Sequence, residues 1–425
     1  MPTSENVKKL IIPGVVGNIL EWYDFTVYGF LSSIVAEHFF PSEDKIISLI
    51  LTFSVFASGF LMRPFGAAFF GHFGDRLGRK KTLITTIAVM TISTTVIGLL
   101  PTYQQIGVSA AILLTICRLA QGFACGGQFS GSMVYIIEHS DCKNRGFWGS
   151  FALFGSYVGF FLSSLVSALI LNLSSNDTLA EWSWRIPFLF GSILGVVGIY
   201  LRMKMTETPQ FLELDAAKKQ VKNPLLTSLK QEPVMMLKAI AITAFTAVSS
   251  YLAIVYFPTY VTEYTNFPLK TAIFINTIGL AVMLPVPLLA GYLSDKLGRK
   301  PIFLTGAIIS GGIVYPLFLL IHQVDISFSL VLLVQCLLNI SVVTAEGTIP
   351  AILTEMFPTH IRYTAMSVPY NIANGLFGGT APLVMTLLIA KMNNIMAPSF
   401  YMILAAVISI VTLFYIKETY KTSLR

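Results

Sequence analysis

The chain has 425 residues, of which 55% are hydrophobic and 12% charged, with a mean hydropathy of +0.74; this excludes a soluble globular domain and describes an integral membrane protein. A net charge of +7 would point a soluble chain toward nucleic acid, but here its meaning depends on which side of the bilayer the basic residues occupy, and nucleic-acid binding is not supported. Cys117, Cys125, Cys142 and Cys336 lack metal-ligand spacing and imply no disulfide framework, so neither a metal nor a cofactor is expected.

A membrane helix needs about 20 apolar residues. Such runs fall near 10–39, 47–72, 82–100, 108–137, 147–171 and 185–204. After a more polar linker at 205–233 they resume near 234–263, 270–291, 302–322, 327–356, 362–391 and 398–417. The expected fold is all-α, with twelve transmembrane helices in two six-helix halves, 1–204 and 234–425. Lys8 and Lys9 precede the first run as in a signal peptide, yet that run is too long, holds Glu21 and Asp24, and leads to no cleavage site. It is read as a retained first helix.

On that helix Gly14, Gly17, Asn18, Glu21, Asp24 and Tyr28 share one small, polar stripe that should face inward. Charges inside a membrane are costly, so each is a default functional candidate. Glu21 and Asp24, one turn apart, are the candidate proton carriers; the alternative is a structural pair bonded to another helix. Arg63, just ahead of Pro64, reads as a structural residue nearer the basic end of the second helix.

The fourth helix aligns Arg118, Gln121, Cys125, Gln128, Ser132 and Tyr135, where a carboxylate could dock, unless Arg118 only neutralises Glu21 or Asp24. In the second half Glu346 shares a stripe with Asn339, Val343 and Pro350, and the eleventh helix offers Asn371, Asn374, Gly375 and Gly378. The substrate-binding candidates are Asn18, Tyr28, Arg118, Gln121, Gln128, Glu346, Asn371 and Asn374. Thr246, Ser249, Tyr251 and Tyr256 of the seventh helix rank below them, because hydroxyls and rings also serve in ordinary helix packing.

One pattern occurs twice, 220 residues apart: Gly71-His-Phe-Gly-Asp75-Arg-Leu-Gly-Arg79-Lys-Lys81 and Gly291-Tyr-Leu-Ser-Asp295-Lys-Leu-Gly-Arg299-Lys-Pro301. Each copy reads as a tight hairpin between two membrane helices, with its acid free to sit at the positive N-terminal end of another helix. Two further echoes support an internal repeat. Glu138 precedes Arg145 as Glu355 precedes Arg362, and Glu207-Thr208 matches Glu418-Thr419. The conformational gating candidates are therefore Asp75, Arg79, Asp295, Arg299, Glu138, Arg145, Glu355 and Arg362. Of the 28 Lys and Arg residues, 22 fall on the side of the termini, and only Lys45, Arg185, Lys270 and Lys391 on the other, so both termini are expected in the cytoplasm.

The repeated loop resembles the signature loop of the major facilitator superfamily. More closely, Gly17-Asn18-Ile-Leu-Glu21-Trp22-Tyr23-Asp24-Phe25, Gly59-Phe-Leu-Met-Arg63-Pro64-Phe-Gly66, Gln121-Gly122-Phe-Ala-Cys-Gly126-Gly127 and Trp184-Arg185-Ile-Pro187-Phe188 look like its metabolite:proton symporters. Met356-Phe-Pro-Thr-His-Ile-Arg362-Tyr resembles proline/betaine members, whereas Thr354-Glu355 and Phe377-Gly378-Gly379 are also similar to citrate and ketoglutarate members, and both substrate classes stay open.

The resemblance implies a monomer in the cell (inner) membrane with two parallel six-helix repeats, alternating access, and uptake of a small polar metabolite driven by protons. Its partners are then the lipid bilayer, that metabolite and protons. Two departures stand out: relatives usually carry an acid where this chain has Gln128, and the long C-terminal coiled coil of osmosensing members does not follow before Arg425. A solute sensor should carry a signalling domain or a long tail. An enzyme is not expected, since His139 near Cys142 lacks an orienting partner and reads as a solvated loop.

Overall fold

The computed structural model describes residues 4–43, 45–141, 143–174, 182–204, 207, 212, 223–265, 267–322, 326–422 and 424. Among them, 11 helices are long and apolar enough to cross a membrane. The first helix, Ser4–Phe30, spans 27 residues and is not one of those 11. It carries Glu21 and Asp24, and the fold places both on its buried side, 1% and 2% exposed.

The others are Lys45–Leu77, Arg79–Leu99, Val108–Glu138, Arg145–Leu173, Ser183–Met203, Pro233–Thr265, Leu269–Leu297, Arg299–Leu320, Phe328–Met356, Arg362–Met392 and Ala397–Phe414. The first helix stops earlier than expected: the chain breaks at Leu31 and resumes as a short helix, Ser32–Phe39. A second short helix, Pro224–Gln231, stands where only loop was expected. Asn223 starts it, its side-chain oxygen accepting from the Leu226 amide at 3.3 Å. Most of the linker ahead of it lies outside the described residues.

Both signature hairpins turn on one residue. Gly78 (φ 102°) separates the second helix from the third, and Gly298 (φ 104°) the eighth from the ninth. A side chain at either would be strained, because L-residues rarely adopt that conformation. Arg79 and Arg299 therefore open helices instead of lying in loops.

The repeated Glu-Thr echo has a structural counterpart. Glu207 accepts from the Lys80 amide (3.2 Å) and Glu418 from the Arg299 and Lys300 amides (3.1 and 3.0 Å). Each glutamate thus satisfies amides that the first turn of a helix leaves open.

The two halves meet where the second helix packs on the eleventh and the fifth on the eighth. At the second contact Gly146 and Gly291 let the backbones cross: a Cβ on Gly146 would lie 2.5 Å from the Gly291 carbonyl. Two helices of the second half are wound more loosely for about one turn, Tyr251–Tyr256 and Asn374–Gly379. Such π-helical turns often occur at functional sites. Tyr251 and Asn374 sit at their starts.

Candidate functional site

The centre is built on Arg63, 0% exposed. Its Nε donates to Asn371 Oδ1 at 3.0 Å, its Nη2 lies 3.6 Å from Glu21 Oε1, and its guanidinium lies 5.2 Å from the Trp22 ring centre and 5.4 Å from that of Phe60. Asn371 in turn donates to the carbonyls of Gly126 and Ser367, each at 2.8 Å. One guanidinium thereby joins an acid of the first half to an amide of the second. Arg63 is not the peripheral structural residue expected.

A further buried guanidinium, which the sequence did not single out, is Arg202 in the last turn of the sixth helix. It is fully buried, donates to the Leu83 carbonyl at 2.6 Å, and lies so close to Gly17 that any Cβ there would overlap its guanidinium.

Asp24 faces another neighbourhood. Its carboxylate lies beside Thr94, which accepts from Gln121 Nε2 (2.8 Å), while Gln121 Oε1 accepts from Arg118 Nη1 (2.8 Å). The Arg118 guanidinium lies 4.3 Å from the ring centre of Phe25, 4.5 Å from that of Tyr28 and 5.3 Å from that of Phe56. Glu21 and Asp24 therefore serve separate clusters, although they are one turn apart.

Several candidates donate to carbonyls inside the first half. Gln128 donates to the Gly17 carbonyl (2.8 Å), Asn18 to that of Ala152 (3.0 Å) and Tyr28 to that of Thr52 (3.0 Å). Their positions tie the first helix to the second, fourth and fifth.

A small central cavity of about 20 Å³ lies between the halves, walled by Trp22, Tyr157, Phe160, Tyr251, Glu346 and Tyr370, with Asn374 and Ser250 beside them. Of the expected binding residues only Glu346 and Asn374 reach it. The Asn374 amide donates to the Tyr370 carbonyl at 3.0 Å. Tyr251, ranked low from the sequence, belongs to the wall; its loosely wound helical turn is a signal that only the backbone reveals.

At the end carrying the signature loops the halves are bolted together. Glu138 meets Arg362 (3.3 Å) and Glu355 meets Arg145 (3.9 Å), so each Glu of the repeated pair binds the Arg of the other half. Arg299 is held by Glu355 (3.1 Å) and Asp295 (2.6 Å). Both Asp295 oxygens accept from the amides that open the fifth helix, Gly146 (2.9 Å) and Phe147 (2.8 Å). The Asp75 and Arg79 side chains lie outside the described part of the structure.

Tyr363 closes the same seam by donating to the Gly127 carbonyl at 2.5 Å. His139 is not in a solvated loop: it is 9% exposed, with Nδ1 2.7 Å from the Tyr135 carbonyl, and burial holds its imidazole below its ordinary pKa. Cys142 lies outside the described residues. At the opposite end a larger cavity of about 360 Å³ separates the second helix from the seventh and eleventh, with Phe53, Tyr256, Glu263, Tyr264 and Thr386 on its walls.

The sequence profile of the Major Facilitator Superfamily matches residues 15–382 and 244–425. This chain belongs to the major facilitator superfamily. Among its superfamily relatives, the proline/betaine transporters of Salmonella typhimurium and Escherichia coli K12 are 36% and 35% identical over 424 residues, covering 97% of this chain and 84% of theirs. A putative proline/betaine transporter of Staphylococcus aureus MSSA476 is 36% identical over 422 residues, 98% of this chain and 89% of its own.

The superfamily fold is also that of the proton:xylose symporter bound to 6-bromo-6-deoxy-D-glucose, with a TM-score of 0.81 at 18% identity over 100% of this chain and 98% of the other. The inward-open xylose transporter of E. coli gives 0.68 at 21% identity, with 98% of each chain covered. As a superfamily member the protein is a multi-pass membrane transporter, in line with the resemblance to metabolite:proton symporters.

Proposed function

We propose that the protein takes up a small zwitterion of the proline or betaine kind together with protons, by alternating access, with the signature-loop face and both termini in the cytoplasm. The observation that carries this reading is the triangle of Glu21, Arg63 and Asn371. While Glu21 is ionised, it occupies Arg63. A proton on Glu21 releases that guanidinium to a carboxylate, so proton and solute enter together and the buried charge stays balanced. Of the two acids on the first helix, Glu21 is assigned the coupling role, because its partner touches the second half through Asn371.

The charge layout supports a zwitterion over a dicarboxylate or tricarboxylate. Among the described residues, the first half buries four guanidinium groups, Arg63, Arg118, Arg145 and Arg202, against three carboxylates, Glu21, Asp24 and Glu138. Glu346 lies in the second half, across the central cavity. A cation facing Glu346 and an anion facing the guanidinium groups complement this arrangement. The relatives named proline/betaine transporters support the same class.

The cross-paired Glu138–Arg362 and Glu355–Arg145, with Asp295 on the fifth helix, are the cytoplasmic gate in this reading. The expected division into halves 1–204 and 234–425 places the rocking units on either side of it. Purified protein in proteoliposomes tests the function. Labelled proline or glycine betaine should accumulate under an inward proton gradient, and Glu21→Gln should abolish accumulation while keeping solute exchange. Accumulation by wild type without any proton-motive force, or by Glu21→Gln at the wild-type level, sinks the coupling assignment.

A further inference from the structure

Glu346 differs from the gate acids. Glu138, Glu355 and Asp295 each have an arginine partner. Glu346 instead accepts hydrogen bonds from two hydroxyls at the same oxygen, Oε2: from Tyr157, and from Ser250 at 2.9 Å. Among the described residues it has no cationic partner. A carboxylate held inside a membrane without a countercharge is costly, and such residues mark solute and ion pathways.

The cavity supplies the rest of a recognition site. Five aromatic residues wall it: Trp22, Tyr157, Phe160, Tyr251 and Tyr370. Trp22 and Phe160 stack at 5.0 Å, and Tyr157 lies 6.1 Å from Phe160. Two of the walls hold buried donors with no acceptor, Trp22 Nε1 and the Tyr251 hydroxyl, in residues only 4% and 3% exposed. A donor buried without a partner is expensive, so both are waiting for an acceptor. One carboxylate without a countercharge, several ring faces and two idle donors are the complement of a molecule with a cationic head and a carboxylate tail.

We infer that Glu346 and the ring wall form the subsite for the substrate's ammonium group, that a methylated ammonium is preferred there, and that Trp22 and Tyr251 donate to its carboxylate alongside Arg63, whose guanidinium lies 5.2 Å from the Trp22 ring centre. A quaternary ammonium has no N–H to offer, so ring faces and a countercharge are what can hold it. The inference rests on the zwitterion reading above and adds the orientation. Trp22 belongs to the first half and Glu346 to the second, so a bound solute bridges the halves. A second carboxylate in place of the ammonium would face Glu346 and be repelled, which makes Glu346 the residue that rejects dicarboxylates. In this structure the cavity holds about 20 Å³, room for about one water, so the solute-bound state is a wider one.

Equilibrium binding of tritiated glycine betaine to purified wild-type protein, without any proton gradient, tests the subsite separately from coupling. The competitor is 3,3-dimethylbutanoate, which has the same shape and carboxylate but no positive charge. Wild type should bind glycine betaine at least tenfold more tightly than this neutral-headed analogue. In Glu346→Gln that ratio should fall toward one through loss of betaine affinity, and Tyr370→Leu should lower affinity for glycine betaine more than for its unmethylated parent, glycine.

A wild-type ratio near one overturns the inference, as does a Glu346→Gln variant that keeps the wild-type ratio, or a wild type that binds neither compound. Should Glu346→Gln fail to fold, the wild-type ratio decides by itself. Normal discrimination in a protein that fails to couple to protons counts against the symport mechanism and leaves the subsite standing.

Discussion

Removing one member of a buried ion pair costs about 3–5 kcal/mol, because the remaining charge is left in a medium that cannot solvate it. Arg63 and Glu21 are such a pair, both side chains 0% exposed. Arg63→Gln should therefore lower stability in detergent by about 3–5 kcal/mol. The double change Arg63→Gln with Glu21→Gln should recover most of that loss, as a thermal melt will show; simple additivity of the two losses means that the residues are not coupled. Arg118 makes a contrasting case. One arm is taken by Gln121 and its plane lies among three rings, and it does not wall the central cavity. Arg118→Lys should lower the melting temperature and leave solute affinity within about threefold, since lysine loses the stacking plane and fork geometry. A tenfold affinity loss with an unchanged melt makes Arg118 the carboxylate anchor that its stripe suggested.

Among helices, the decisive contacts lie where the fifth crosses the eighth. Gly146→Val puts carbon where the Gly291 carbonyl and the Ser294 hydroxyl already lie, each 2.5 Å from the added Cβ. The signature-loop face should be wedged open. Cysteines placed in that seam should then react faster with a thiol reagent applied from the same side, and unchanged labelling rates contradict a closed seam in the parent. The mirrored ion pairs allow a more specific test. Glu138→Arg alone sets two guanidinium groups against each other at Arg362, whereas Glu138→Arg with Arg362→Glu restores opposite charges across the same 3.3 Å contact. The single variant should lose most transport and the swapped pair should regain part of it. Equal activity in both excludes a gate bond between these residues.

For the whole molecule the sign of the transported charge is the most general consequence. A zwitterion carried with one proton moves one positive charge inward, and a potential of 100 mV acting on one charge is worth about 2.3 kcal/mol, roughly 50-fold in accumulation. An inside-negative potential imposed at equal pH should therefore drive proline or betaine uptake by itself, measured in potassium-loaded vesicles with valinomycin. Uptake that responds to a pH difference but not to potential rules out this charge balance. In the proposed orientation, the closed signature-loop end and the 360 Å³ cavity at the opposite end correspond to the stage of the cycle that faces the outer solution.

The helices, the internal repeat and the superfamily were legible in the order of residues alone, because lipid demands long apolar helices and a one-residue hairpin demands glycine at Gly78 and Gly298. The buried charges Glu21, Asp24, Arg63 and Arg118 were legible as well, but not Arg202, which lies near the end of its helix where counting cannot separate the last turn from the loop, nor Glu138, Arg145, Arg299, Glu355 and Arg362 at the signature-loop end. Which charges meet was decided by the tertiary structure. A stripe shows that a side chain points inward but gives neither the neighbour's rotation nor its depth, and these follow from the packing of all the other helices. Hence Glu21 and Asp24 read as one pair yet belong to two clusters, Arg63 moved from the margin to the centre, and Tyr251 became a cavity wall through a loosened turn. The repeated Glu and Arg were legible in the sequence, but their pairing across the two halves exists only once those halves are docked.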